Sequence, residues 1–233
     1  MSKKKKQKLP EKKSNTTLIY AAVAVLAIVV IAALVLYFPS TPQVKPAEKL
    51  PTAGEYVKLD LPTTYEPGKV KIMEFLKFNC PFCYNLHMNL PQILKKYGDN
   101  VTITYVPIVW LGRESTKSIE AYIIADHMGK GKEMQDALFN EAAAEGLTQG
   151  KEDLMMMQNV QTLESVAASI GLNSSKFNPQ LEGNQASDAA NANLQLMNKY
   201  GVQSTPTIII NGNIEVNPPT AENLDTVIGS LLS

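Results

Sequence analysis

Cys80 and Cys83 are the only cysteines in a chain of 233 residues, and two residues separate them. Thiols at this spacing serve as a structural staple, as part of a metal site or as a redox centre. A disulfide enclosing two residues removes little freedom from the unfolded chain, because that benefit grows with loop length, so a staple alone explains the pair poorly. Structural zinc takes four ligands, and the only histidines, His87 and His127, stand forty residues apart; no metal is expected. Haem attachment needs a histidine directly after the second cysteine, and Tyr84 occupies that place. The redox reading uses more of the neighbouring residues. Cys80 stands where a strand gives way to a helix, with Pro81 at or near the first helical position, so its sulfur faces unpaired N–H groups and the positive end of the helix dipole. Those groups stabilise a thiolate. Cys83, one turn further on, faces inward and is the poorer nucleophile. Glu74 shares a strand face with Ile72 and Leu76, where a carboxylate is costly unless it has a partner or a task; the plainer alternative is a strand-end carboxylate reaching water.

These residues need a strand and a helix to place them. "KVKIMEFL" alternates as a buried strand, with Ile72 and Leu76 on one face and Met73 and Phe75 on the other. The helix that starts at the cysteines sets Cys83, Leu86, Leu90, Ile93, Leu94 and Tyr97 at three- and four-residue spacing until Gly98 stops it, and Pro91 within it predicts a kink. "VTITYVPIV", Val101 to Val109, is β-branched and reads as a second strand. From about Ser115 to Tyr200 the pattern is helical, with breaks at Gly129-Lys130-Gly131, Gly146, Gly150, Gly171 and Asn178-Pro179. "TPTIIINGNIEV" then gives two short strands about Asn211-Gly212, a strong hairpin signal, and a last amphipathic helix carries Leu224, Val227, Ile228 and Leu231.

The zero net charge of the chain hides an uneven distribution. Lys3, Lys4, Lys5, Lys6, Lys8, Lys12 and Lys13 precede residue 38 with Glu11 as the only acid, so the remainder is mildly acidic. An acidic body argues against nucleic acid as a partner. Between tip and body, Leu18 to Phe38 is 21 residues without a charge, enough to cross a bilayer as a helix. It reads as an uncleaved single-pass anchor, since a secretory signal has a shorter apolar region and no A-x-A pattern follows. The lysines before it keep the N-terminus cytoplasmic and put the body outside, where disulfides persist. The expected organisation is a basic tip (1–17), an anchor (18–38), a proline-rich tether (39–55) and a body beginning near Tyr56.

"MEFLKFNCPFCYNL" and "YGVQSTPTIIINGN" together resemble the DsbA-like disulfide oxidoreductases of the thioredoxin superfamily, over roughly Tyr56 to Ser233. The resemblance implies an α/β thioredoxin fold in two parts, 56–112 and 183–233, around an all-helical insert at 113–182. It implies an exposed nucleophile at Cys80, a buried resolving cysteine at Cys83 and a redox-active disulfide between them. Glu74 would relay the proton of Cys83, and Pro81 and Phe82 would form the active-site dipeptide. Pro206 would be cis and lie against the disulfide, with Thr205 offering its backbone to a client strand. Phe82 departs from the pattern, because the most oxidising members carry histidine there.

The function implied is disulfide exchange with cysteine-containing secreted or membrane proteins, most simply as a disulfide donor. No cofactor is needed, the protein would act as a monomer, and a quinone-linked oxidase or reductase in the membrane would reset it. Two alternatives remain open at this point: a reductase, for example in cytochrome maturation, and a non-enzymatic metal- or peptide-binding protein. His87 falls on the helix face of the cysteines but reads more simply as a surface histidine. Met155, Met156 and Met157 read as ordinary helix packing, and Asn100 and Asn173 head glycosylation acceptor patterns.

Overall fold

The structure, a computed structural model, describes residues 48–110, 112, 114–147 and 158–233. The basic tip, the span Leu18 to Phe38, most of the tether, Gly150 and the run Met155 to Met157 lie outside the described residues. Among the described residues no helix is long and apolar enough to cross a membrane.

The sheet grows from the β-branched runs. β1 (Tyr56–Lys58), β2 (Val70–Leu76), β3 (Val101–Pro107), β4 (Thr207–Ile210) and β5 (Ile214–Val216) form one sheet in the order β1-β5-β4-β2-β3. β2 and β3 run parallel, with Glu74 opposite Tyr105, and β4 runs antiparallel to β2, with Glu74 opposite Ile208. A parallel pair needs a crossover, and α1 (Pro81–Tyr97) supplies it. The β4–β5 hairpin turns on Asn211 and Gly212 at φ of +49° and +82°, with the Asn213 N–H bonded to the Ile210 carbonyl at 3.2 Å. Positive φ at both central residues suits the right-handed twist of the strands, which is why Asn-Gly marks the turn.

α1 and α7 (Ala221–Leu232) cover one face. Leu86, Leu90 and Ile93 of α1 meet Val70, Ile72, Ile208 and Ile210 of the sheet and Leu224, Val227, Ile228 and Leu231 of α7. Leu94 and Tyr97 sit at the margin, half-buried, and the Tyr97 hydroxyl reaches Asp225 Oδ1 at 2.8 Å to tie the two helices. α1 runs on through Pro91, which faces solvent.

The other face carries Phe75 and Ile209 against the helical region, and Phe75 meets the Tyr200 ring at 5.6 Å. That region comprises α2 (Lys117–His127), α3 (Gly131–Ala144), α4 (Val160–Ser169), α5 (Ser174–Glu182) and α6 (Ser187–Tyr200). Asn159 and Asn173 cap α4 and α5 through their side chains, so the second glycosylation pattern begins on a helix cap. One break expected from the sequence is absent: Pro179 lies inside α5. The ring forfeits one backbone bond, but Phe177 and Leu181 on either side of it are fully buried and hold the turn in place.

The end of the tether belongs to the body. Pro51 is buried, Glu55 N bonds to Asn223 Oδ1 at 2.8 Å, and Glu48 receives Asn213 Nδ2 at 2.5 Å. Residues 48–55 therefore pack with the body ahead of Tyr56, with Glu55 on α7 and Glu48 on the hairpin.

Phe75 lies at the junction of sheet and helical region with no exposed surface, so Phe75→Ala is expected to lower the unfolding free energy by about 3–5 kcal/mol in urea titrations. Removing the α7 cap, where Asn223 N bonds to Thr220 Oγ1 at 3.2 Å, should cost only about 1 kcal/mol in Thr220→Ala.

Candidate active site

α1 begins at Cys80. The residue is extended, at φ −107° and ψ 117°, and its side chain takes the place usually held by Ser, Thr, Asn or Asp: the Cys83 N–H donates to Cys80 Sγ at 3.3 Å. Pro81 follows at the first helical turn, where its missing N–H costs nothing. The Cys80 thiol also contacts the Thr205 carbonyl at 3.2 Å. Thr205 precedes Pro206 through a cis peptide bond, and this loop closes over the sulfur.

The loop corrects one expectation. Cys80 is 8% exposed, rather than open to solvent, because Thr205 and its neighbours lie across it; Cys83 is fully buried. The two sulfurs nevertheless differ in the expected sense. The Cys83 thiol, donating to Cys80, draws the Cys80 thiol down to about 6 against the penalty of burial, helped by the Thr205 side chain and the N–H groups of Cys83 and Phe82. Cys83 is pushed far up, first by burial and then by its hydrogen bond to Cys80 and the Cys80 charge. Cys80 is therefore the thiolate of the pair at neutral pH, and Cys83 keeps its proton.

Glu74 lies beneath them on β2. It is 1% exposed, so it does not reach water, and its Oε1 has no hydrogen-bond partner among the described residues. Burial first, and the Cys80 charge second, raise its carboxyl to about 8. The acid thus holds a proton at neutral pH and can surrender it.

Phe82 points outward and is 72% exposed. With Leu86, Thr205, Pro206, Pro218 and Pro219 it lines a groove of about 480 Å³ beside the cysteines. Asn217–Pro218 is a second cis bond, which "NPP" after the hairpin did not announce.

Two further groupings had no sequence signal. Glu114 gathers Lys77 Nζ at 2.9 Å, Asn79 Nδ2 at 2.7 Å and the Trp110 N–H at 3.0 Å, fastening the turn before Cys80 to the segment that enters the helical region. His87 is not a surface residue: its side chain is 14% exposed, its Nε2 lies 3.0 Å from Asp136 Oδ1, and its ring stacks on Phe139 at 4.8 Å. The helical region folds over that side of α1, which spacing along one helix does not reveal. Among the described residues no group of three or more His, Cys, Asp or Glu side chains is placed to hold a metal.

A protein-family model described as thioredoxin matches residues 66–230. The chain belongs to the thioredoxin family. Within it, the relatives are DsbA proteins. The chain is 24% identical over 196 residues to the thiol:disulfide interchange protein DsbA of Burkholderia cepacia, covering 80% of this chain and 87% of that one. It is 25% identical over 168 residues to the protein of the same name from Pseudomonas syringae pathovar tomato, covering 71% and 74%. Among solved structures, the fold is similar to oxidoreductase DsbA from Xylella fastidiosa, with a TM-score of 0.62 and 24% identity over 79% of this chain and 97% of that one. DsbA of Pseudomonas aeruginosa gives 0.61 and 19% over 77% and 91%. The chain is accordingly a DsbA-like disulfide oxidoreductase, with the thioredoxin fold and a helical insertion.

The two shifted groups make opposite contributions to the stability of the reduced protein. Cys80 ionises near 6 in the fold and about 8.5 unfolded, so its stabilisation is complete above about 8.5 and is lost as pH falls through 6. Glu74 ionises near 8 in the fold and about 4.3 unfolded, so its contribution is complete below about 4.3 and is lost as pH rises through 8. Measured against the double variant Glu74→Gln/Cys80→Ser, reduced Glu74→Gln should gain urea resistance as pH rises from about 6 to 8.5. Cys80→Ser should lose it from about 4.5 to 8. Slopes of the reverse sign would contradict the assignment.

Proposed function

We propose that this protein is a membrane-tethered, extracytoplasmic disulfide donor acting on cysteine-containing secreted or membrane proteins. The observation that carries the proposal is the division between the sulfurs: Cys80 drawn down to about 6 at the helix start, and Cys83 held protonated one turn inside. A low leaving-group pKa speeds release of a client disulfide and favours the reduced enzyme, so the oxidised enzyme tends to give its disulfide away.

In that cycle a client thiolate attacks Cys80 Sγ. The Cys80–Cys83 bond breaks, its electron pair goes to Cys83, and Glu74 supplies the proton that Cys83 then carries. A second client thiolate attacks the client sulfur of the mixed disulfide, the client disulfide forms, and Cys80 leaves as its stabilised thiolate. The enzyme ends the cycle reduced, and a quinone-linked oxidase in the membrane is the class of partner that would restore it. No cofactor takes part, because the sulfur pair carries both electrons.

The loop at Thr205 and Pro206 and the groove beside Phe82 would receive the client backbone and its apolar side chains. The Thr205 carbonyl, 3.2 Å from Cys80 Sγ, is the acceptor that a client N–H would meet as its sulfur approaches Cys80. The tether reading rests on the 21 uncharged residues from Leu18 to Phe38 and the seven lysines before them. The protein would work as a monomer, since the cysteines, the acid and the loop all come from one chain.

Cys83→Ser expressed in cells should accumulate mixed disulfides through Cys80, whereas Cys80→Ser should trap few or none. In the same samples, protease added to intact cells or spheroplasts should digest the trapped species. Equal trapping by both variants would remove Cys80 as the nucleophile. Trapped species that survive until the membrane is breached would place the body on the other side.

A further inference from the structure

Residues 203–206 lie between α6 and β4, and this loop crosses over Cys80. Gln203 and Ser204 are exposed, so packing does little to hold them, and Pro206 has no N–H to contribute. Two carbonyls of the loop are engaged. The Thr205 carbonyl meets Cys80 Sγ at 3.2 Å, and the Ser204 carbonyl receives Thr207 Oγ1 at 2.9 Å. The first contact depends on the state of the sulfur, because a thiolate or a disulfide sulfur has no proton to donate. The second does not.

Thr207 is a fixed post for that second bond. It opens β4, a strand paired with β2 on one side and β5 on the other. It stands opposite Phe75, which has no exposed surface, and is itself 6% exposed. A buried hydroxyl needs an acceptor, and a threonine that bonds back to a nearby carbonyl is a common local device. The sequence around this one gives the hydroxyl more weight. Ile208, Ile209 and Ile210 follow it, and valine in its place would have nearly the same shape and suit a strand as well. What the hydroxyl adds is the bond to Ser204, and that bond spans Thr205 and Pro206, the residues set beside Cys80.

We propose that Thr207 is a positioning residue for client docking: its hydroxyl holds the Ser204 carbonyl so that the Thr205 carbonyl is presented to the backbone of an incoming client. The proposal rests on the reading that a client N–H pairs with Thr205. The Thr207 hydroxyl is spent on Ser204 and not on either sulfur. Its effect therefore falls on reactions that use the backbone of the loop, and spares the reaction of a small dithiol that carries no amide N–H.

That difference defines the test. Reduction of the oxidised enzyme would be followed by stopped flow for wild type, Thr207→Val, Thr207→Ala and Thr207→Ser. Two reductants are compared: dithiothreitol, and an unstructured peptide carrying two cysteines. The peptide is also prepared N-methylated at the residues flanking its cysteines, which removes the donors that could reach Thr205. Thr207→Val and Thr207→Ala should be slower with the peptide by about 5-fold or more and within about 2-fold of wild type with dithiothreitol. Thr207→Ser, which keeps the hydroxyl, should restore the peptide rate. N-methylation should slow wild type by a similar factor and add little to the valine and alanine variants, since both changes remove the same contact. A wild type slowed by N-methylation beside a Thr207→Val enzyme of unchanged peptide rate would overturn the role of Thr207 and leave docking at Thr205 intact. A wild type indifferent to N-methylation would remove both. Equal slowing with peptide and dithiothreitol would make Thr207 a packing residue of the site and also overturn the proposal.

Discussion

A sulfur in the capping position of a helix is the interaction on which the rest of the site depends. The Cys83 N–H and the Cys83 thiol both point at Cys80 Sγ, and they can do so only because Pro81 starts the helix immediately after an extended residue. Strand β2 delivers the chain to that point, and the turn at Lys77 and Asn79, fastened by Glu114, aims it. The loop at cis-Pro206 then closes the opposite side. Displacing any of these would leave a thiol with an ordinary pKa in place of a stabilised thiolate.

Enclosure has two consequences that oppose each other. Burial disfavours the Cys80 thiolate, yet the donors overcome it and leave the group near 6. For Glu74 no donor compensates, for Cys83 the Lys77 backbone does so too weakly, and burial holds both protons in place. One low-dielectric setting therefore yields a leaving group and a proton store within a few residues of one another.

Local chemistry was legible in the sequence wherever it is written in short windows. The alternation of "KVKIMEFL", the spacing of Cys83, Leu86, Leu90 and Ile93, the stop at Gly98 and the turn at Asn211-Gly212 all appear in the fold, because each is set by neighbours a few residues away. The burial of Glu74 followed from the same alternation. Features that depend on distant partners were not legible. Pro179 sits within α5 because Phe177 and Leu181 are held by the helical core, and His87 is covered because α3 folds across it. Cys80 is enclosed by a loop 125 residues away, so its exposure could not be read from its own helix.

Phe82 is where this site parts from its most oxidising relatives as the sequence resemblance described them, since it offers the thiolate neither charge nor side-chain donor, only its N–H. On the proposed reading the enzyme would be a disulfide donor of intermediate strength. The reduction potential tests that most directly, measured by equilibration with glutathione buffers and read by thiol alkylation or by the single tryptophan, Trp110, beside the active-site turn. A value of roughly −150 to −230 mV is predicted, rising in Phe82→His. A potential near or below that of thioredoxin, about −270 mV, would contradict the account, because a disulfide that stable would make the protein a reductase.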